Sequence, residues 1–265
     1  MNGLSPFQKT KYLLLVLVVI TIFHSNTFGQ SVIGVASYMK VDNVEEFLEL
    51  EKKWGKINKV RLKEGMIKGW AVYQVMFKTP QDPYNYISVS WYDSFSKLDK
   101  EIPNEIYQAA FPEMTEEDIK DFNQKTTDSH IRISAGVFHQ RMTCVNGLDS
   151  QGKFYVINEI KVQQGKSKEF IKIYEEIYKP LFEEDIRNNH RTNWSFWEKW
   201  PGDLKDFQYL SADGYSSLEQ IDQVNYLAYF SKIHPDKDPD EISKRVEELR
   251  ELVSTEMWKL IYRAH

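Results

Sequence analysis

A heptapeptide in which polar and apolar side chains alternate occurs twice and limits the fold more than any other feature. It reads Tyr-Ile-Ser-Val-Ser-Trp-Tyr at Tyr86–Tyr92 and Tyr-Leu-Ser-Ala-Asp-Gly-Tyr at Tyr209–Tyr215, which begins 123 positions later. A side-chain period of two is typical of a β-strand, because successive side chains point to opposite faces. Each copy therefore predicts a strand with one apolar face and one face rich in tyrosine and hydroxyl groups.

Further matches at nearly the same spacing indicate a tandem repeat. Phe47 and Phe170 are 123 positions apart, and Trp70 and Trp194 are 124 positions apart. Both copies also have the predicted order strand, helix, strand, strand, helix, strand, which is the ferredoxin-like order. We therefore predict a first ferredoxin-like repeat at 31–145, a short linker, and a second repeat at 153–265.

Several local signals fix the predicted helices. In the first copy, Asp42 or Asn43 is a suitable N-cap for a helix whose apolar side chains recur every three or four residues, and Gly65 is placed to end it. A helix interrupted by Pro103 is predicted over Ser94–Tyr107. In the second copy we expect Ser167 to cap a helix that Pro180 bends, followed by helices at Ser217–Phe230 and Pro239–Val253.

The helix-free face of a ferredoxin-like sheet needs a cover, which the second copy supplies. We therefore expect an α+β fold in which two tandem ferredoxin-like (βαββαβ) repeats pair their antiparallel sheets into a pseudo-symmetric α/β barrel. The chain resembles the dimeric α/β-barrel superfamily, in particular members that carry both units in one polypeptide. The resemblance covers Ser31–His265 and rests on the element order and on the repeats of Phe47, Trp70 and Tyr86–Tyr92. It implies the fold more than the function, because the superfamily includes cofactor-free oxygenases, haem-dependent enzymes, isomerases and members without known activity.

The first 29 residues have the pattern of a secretory signal peptide. Two lysines, Lys9 and Lys11, precede the apolar run Tyr12–Phe23, and Thr27 and Gly29 supply the small residues of a cleavage site. The apolar run is short for a membrane span, although an uncleaved N-terminal anchor is the alternative. We therefore expect an extracytoplasmic protein, periplasmic or secreted, whose mature chain has no membrane span.

Composition excludes some partners of the mature chain. Without residues 1–29 it has 32 basic and 39 acidic side chains, a net charge of −7, which attracts neither nucleic acid nor an anionic membrane. The single cysteine, Cys144, has no partner for an internal disulfide, so the fold depends on its core. Each half covers the other, so a monomer suffices and a homodimer is the alternative.

The candidate ligand site is the hydroxyl-rich face of the repeated strand. We expect Ile87, Val89, Trp91, Leu210 and Ala212 to face the helices, so that the opposite face lines the space between the sheets. Such a wall suits a small, partly polar ligand, and a purely structural interface of tyrosines is the alternative. The side chains predicted to line it are Tyr86, Ser88, Ser90, Tyr92, Tyr209, Ser211, Asp213 and Tyr215.

Neighbouring strands add four candidates to this wall. Trp70 and Trp194 supply aromatic surface, and Glu198 is either a general base or the partner of a nearby Lys or Arg. The resemblance to haem-dependent barrels makes His139 a candidate iron ligand, with a half-exposed strand histidine as the alternative. Known catalytic motifs and metal-binding spacings do not occur in the sequence, so we predict no metal, no cofactor and no specific catalytic residue.

Three classes of function fit these observations. The first is an exported, non-catalytic protein that binds a small molecule or a partner between two fused ferredoxin-like sheets. The second is a cofactor-free or haem-linked oxidative enzyme, which rests on the superfamily resemblance. The third is a purely structural role.

Overall fold

Antiparallel strands form a closed barrel in the structure, a computed structural model that describes residues 32–145, 152–199 and 206–265. These parts of the chain contain eight strands, numbered in chain order: β1 (Ile33–Lys40), β2 (Gly69–Val75), β3 (Tyr86–Tyr92), β4 (Ile131–Val145), β5 (Phe154–Val162), β6 (Asn193–Lys199), β7 (Tyr209–Tyr215) and β8 (Arg250–Ala264). Strands β3 and β7 have the bounds that the repeated heptapeptide predicts.

The barrel consists of two four-stranded groups joined at two seams. The order is β4-β1-β3-β2 in the first group and β8-β5-β7-β6 in the second, with antiparallel pairing throughout. The seams are the pairs β2–β8 and β4–β6. The predicted α+β class and the barrel formed by two antiparallel groups are confirmed. The division into tandem repeats stays a prediction.

Helices cover the outside of the barrel. In the described residues they are α1 (Val44–Lys63), α2 (Asn104–Ala110), α3 (Glu116–Asp128), α4 (Ser167–Ile173), α5 (Lys179–Arg187), α6 (Leu218–Asp222), α7 (Tyr226–Ile233) and α8 (Pro239–Leu249). Helix α1 begins where the sequence predicts, because the Asn43 side chain accepts a hydrogen bond from the Glu46 amide. Gly65, which lies just beyond its end, has a φ of 68° that favours glycine.

The predicted helices are wrong in detail where prolines and polar residues interrupt them. Only a single 3₁₀ turn, Phe95–Lys97, precedes Pro103, which is itself the N-cap of α2. Ser167 is the first residue of α4 and not its cap. Between α4 and α5 lies a π-helical turn at Tyr174–Tyr178, and Pro180 follows in the first turn of α5, where its missing N–H is tolerated.

The later helices of the second half are also shorter than predicted. The segment expected to be one helix over Ser217–Phe230 contains α6 and the start of α7. Helix α8 ends at Leu249, and the chain continues directly into β8 at Arg250. The last strand is therefore 15 residues long and reaches along the whole barrel.

Val32–His265 forms one compact unit, to which both predicted repeats contribute four strands each. The predicted signal peptide at 1–29 and most of the predicted linker lie outside the described residues, so both stay predictions. Within the described ranges, none of the helices combines the length and the apolar character that crossing a membrane requires.

Candidate functional site

The barrel interior contains a cavity of about 350 Å³. It reaches the end of the barrel at which β1, β2, β5 and β6 begin, because its wall includes Gly34, Gly69, Tyr155 and Asn193. Concave spaces of this size, with apolar walls and a few polar groups, are typical ligand sites. We call it the barrel cavity.

Its walls are mostly apolar. Glycine and alanine residues make room for the large aromatic side chains that share the wall with them. A Cβ atom added to Gly34 would lie 3.4 Å from the Trp197 ring, and one added to Gly69 would lie 3.2 Å from the Trp91 ring. These glycines therefore leave room for the rings of Trp197 and Trp91 to pack close to the backbone. The other apolar side chains on the wall are Val32, Ala36, Val89, Phe138, Val145, Ile157, Leu210, Ala212, Trp258 and Ala264.

An aromatic cluster forms one side of the barrel cavity. The rings of Tyr73 and Tyr155 are 5.5 Å apart edge to face, and those of Tyr73 and Trp258 are 5.7 Å apart. Burial raises the pKa of Tyr73 well above its usual range, so its phenol keeps its proton. The Tyr155 hydroxyl accepts a hydrogen bond of 3.2 Å from Nη2 of Arg263. This side therefore offers aromatic surface, two phenol hydroxyls and one guanidinium.

Glu256 organises the interior at the opposite end of the barrel. Its carboxylate accepts hydrogen bonds from the Tyr84 hydroxyl at 2.8 Å and the Trp258 indole at 2.9 Å, and lies 2.7 Å from the Lys78 ammonium. Burial and the adjacent Glu256 charge raise the pKa of Tyr84 far above its usual range. Tyr38 packs edge to face on Tyr84, at 5.0 Å between centroids. These contacts fix Trp258 where it meets the cavity.

The twelve side chains predicted to bind a ligand do not line the barrel cavity. The apolar face of β3 and β7, with Val89, Trp91, Leu210 and Ala212, faces the interior, so the predicted orientation is wrong. The hydroxyl-rich face points to the helices. The residues displaced from the cavity in this way are Trp70, Tyr86, Ser88, Ser90, Tyr92, His139, Trp194, Glu198, Tyr209, Ser211, Asp213 and Tyr215.

Local hydrogen bonds explain why helices can cover this polar face. The Trp70 indole donates to the Ser88 hydroxyl at 3.1 Å, and the Trp194 indole donates to the Ser211 hydroxyl at 2.9 Å. Buried hydroxyls that have partners cost little, and the aromatic rings beside them supply apolar area. The ring of Tyr86 packs 5.0 Å from that of Phe47 in α1. The candidate face therefore contributes to the packing between sheet and helices.

Asp213 belongs to a buried ion-pair cluster on the helix side. Its carboxylate contacts the guanidinium of Arg191, and Asp185 lies 3.6 Å from the same guanidinium. Burial raises the pKa of Asp185, and the charges of Arg191 and then His190 oppose that rise. Glu198 also has a basic partner, since it pairs with Arg141 at the surface. The alternative reading of Glu198 as an ion-pair residue therefore agrees with the structure.

His139 lies on the outer face of β4. Its neighbours Phe138 and Gln140 line the barrel cavity, and strand alternation turns the side chain between them away from it. Among the described residues, the one histidine on the cavity wall is His265 at the mouth. These positions do not fit a haem held inside the barrel by His139.

The prediction missed the polar groups that do line the barrel cavity. They lie on β4, β6 and β8 or directly beside β2 and β8 at the mouth, namely Gln140, Thr143, Asn193, Ser195, Arg263, Lys68 and His265. The period-two pattern would have identified Trp91 and Trp197 if the opposite face had been assigned to the interior. Arg263 carries no such signal, because it follows a bulge at which β8 changes register.

Comparison with known proteins finds solved structures with a similar fold but no match at the level of sequence. No protein-family model matches the chain, and a search of curated proteins finds no match. A candidate monooxygenase of Fusobacterium nucleatum subsp. nucleatum ATCC 25586 is similar in structure, with a TM-score of 0.55 and 9% identity over 90% of this chain and 96% of that chain. A candidate monooxygenase from Lactobacillus acidophilus NCFM has a TM-score of 0.51 and 9% identity over 89% and 96%. At such identity the two neighbours show the fold alone.

Proposed function

We propose that the protein binds a small, mainly apolar molecule inside the barrel. The observation that carries this proposal is the barrel cavity of about 350 Å³, whose wall combines tryptophans, small residues and a few polar groups. The wall is built by β-strands of both halves, which makes the site rigid. The ligand site therefore lies between the sheets, as the sequence predicts, but on the opposite face of the strands.

We also propose that the two halves are tandem repeats and that the protein acts outside the cytoplasm. The same strand order in both four-stranded groups supports the first point, and the pattern of residues 1–29 supports the second. Intact-mass measurement of protein isolated from its native source would test the second. A mass that lacks residues 1–29 is the expected result, and the full-length mass would contradict cleavage.

Two measurements test the binding site directly. Native mass spectrometry of freshly purified protein should detect a co-purifying small molecule, and titration calorimetry should detect binding of 2-naphthamide, an uncharged aromatic probe. Ala212 lines the cavity, so a leucine at this position would fill part of the space. Ala212→Leu should therefore weaken binding of 2-naphthamide at least about tenfold, which is 1.4 kcal/mol.

Ala135→Leu is the matched control, because Ala135 is exposed on β4 and does not line the barrel cavity. It should bind the probe as the unmodified chain does. Absence of probe binding together with absence of any co-purifying molecule would refute the proposed function, and equal weakening by both variants would place binding elsewhere.

A second candidate function is oxidation of a small aromatic substrate without a haem. Two structural neighbours are candidate monooxygenases, which favours this function, as does an interior that is aromatic and largely apolar. Oxygen uptake in the presence of 1-naphthol or 1,5-dihydroxynaphthalene is the test. Oxygen uptake that is abolished by Ala212→Leu and preserved by Ala135→Leu would favour an oxidative enzyme. Probe binding without oxygen uptake would favour a non-catalytic binding protein.

A further inference from the structure

The charges on the cavity wall have one sign. Two cationic side chains, Lys68 and Arg263, line the barrel cavity, and no acidic side chain of the described residues does so. The whole chain is net acidic, with 39 acidic against 34 basic side chains, so this one-sided wall does not follow from composition. A basic mouth on an acidic protein raises the local concentration of anions.

Arg263 is a half-buried cation on the wall of the barrel cavity, where its guanidinium also interacts with the Tyr73 hydroxyl. One of its terminal nitrogens donates to the Tyr155 hydroxyl, while its Nε–H is buried and has no hydrogen-bond partner among the described residues. No described acidic side chain lies within 4.0 Å of its guanidinium. A buried donor without a partner is costly, so the Nε–H favours a ligand that can accept its hydrogen bond.

Arg191 is an arginine of the same fold whose charge is balanced by acidic side chains, which makes it a useful comparison with Arg263. Its side chain is fully buried, unlike that of the half-buried Arg263, and it lies against the carboxylates of Asp213 and Asp185 on the helix side. Among the described residues, two carboxylates pair with Arg191 and no acidic side chain pairs with Arg263. The missing anion at Arg263 is therefore best supplied by a ligand.

The surfaces around Arg263 define the rest of that ligand. Tyr73, Tyr155 and Trp258 form the aromatic cluster beside it, and Trp91 and Trp197 lie against glycines at the mouth. Flat aromatic walls favour a flat apolar body, because stacked and edge-to-face rings bury the most area. Lys68 at the mouth is partly neutralised by Asp93, at 3.6 Å, which leaves Arg263 as the main anchor.

We propose that the barrel cavity takes a small aromatic carboxylic acid, with the ring system between the tryptophans and tyrosines and the carboxylate on Arg263. This inference rests on the proposed function and names its ligand class. A guanidinium binds a carboxylate through two parallel N–H···O bonds, so both the free Nε–H and a terminal nitrogen of Arg263 would be used.

The experiment compares an anion with its neutral isostere. Titration calorimetry measures 2-naphthoate and 2-naphthamide, which share the ring system and differ in charge. The unmodified chain should bind 2-naphthoate at least about tenfold more tightly, since a hydrogen bond to a charged group contributes about 1.4 kcal/mol or more. Added salt should weaken binding of the anion more than that of the amide.

Variants identify the anchor. Arg263→Gln should abolish the preference for 2-naphthoate over 2-naphthamide, which is at least about tenfold in the unmodified chain. Arg141→Gln is the matched control, because it is the same substitution on the outer face of the barrel, and it should keep the preference. Arg263→Lys should retain a reduced preference, because an ammonium cannot form the two parallel bonds.

The outcomes separate this inference from the function on which it rests. Equal affinities of the unmodified chain for the two probes would overturn the anion site while the binding cavity stands, and this comparison needs no variant to fold. A preference that survives Arg263→Gln would also overturn it. Binding of neither probe would overturn the proposed function together with the inference.

Discussion

Arg191→Met removes the central cation of the buried cluster on the helix side. Arg191 and Asp185 have fully buried side chains, and that of Asp213 is 8% exposed. The guanidinium carbon of Arg191 lies 4.4 Å from the centroid of the Phe182 ring, and the flexible, uncharged side chain of methionine can occupy much of the same space. The variant therefore tests charge more than volume.

The expected cost follows from leaving two buried carboxylates without their cation. Removing one member of a buried ion pair costs about 3 to 5 kcal/mol, because the remaining charge is uncompensated. For a unit of this length, 1 kcal/mol corresponds to a shift in melting temperature of about 2 to 4 °C, so we expect a fall of about 6 to 20 °C. The cost should shrink as the pH is lowered, because protonated Asp185 and Asp213 no longer need a cation.

The assay is urea denaturation at neutral and acidic pH, with Arg187→Met as the control. Arg187 lies in the same helix region and pairs with Glu184 at 2.7 Å, but its side chain is 66% exposed. Exposed pairs contribute about 1 kcal/mol or less, so the control should change the midpoint little. Equal costs for Arg191→Met and Arg187→Met at neutral pH would refute the reasoning.

Two further predictions concern the fold. Burial raises the pKa of Glu51 in α1 to about 8, whereas the unfolded chain releases this proton near 4.5, so stability should fall as the pH rises from about 4.5 to 8. Glu51→Gln should remove that decline in urea midpoints, and an unchanged decline would contradict the assignment. Trp194→Phe leaves the buried Ser211 hydroxyl without its donor and should cost about 2 to 3 kcal/mol in urea denaturation. Trp91→Phe at the half-buried cavity mouth should cost less than about 1 kcal/mol, and an equal cost would refute the difference between the two faces.

Strand periodicity predicted the strands well because it depends on the backbone alone. Tyr86–Tyr92 and Tyr209–Tyr215 are strands with those bounds, and they belong to an eight-stranded antiparallel barrel as expected. The cap at Asn43 was also predictable, since it is a contact between residues three positions apart. Local signals of this kind need no knowledge of the tertiary structure.

The assignment of faces failed because periodicity separates two faces without saying which is inside. Both faces of β3 are covered, one by helices and one by the opposite sheet, so burial does not distinguish them. The sequence predicted Ser88 and Ser211 as ligand contacts. In the structure their hydroxyls accept hydrogen bonds from the indoles of Trp70 and Trp194. Arg263 escaped prediction because a bulge in β8 decides its direction.

The two seams of the barrel have a consequence for the order in which the protein is built. Strand β8 comes last among the strands in the chain, yet it pairs with β2, nearly 200 positions earlier, as well as with β5. Contacts so distant in sequence form slowly, and until they form both neighbouring strands keep an open edge that can pair with other chains. Arg263 and Trp258 lie on β8, so the pairing of β8 with β2 and β5 both closes these edges and completes the cavity wall. A ligand bound to Arg263 would therefore stabilise β8 in its place in the barrel. Release of that ligand would weaken the β2–β8 pairing, which protects the protein from aggregation.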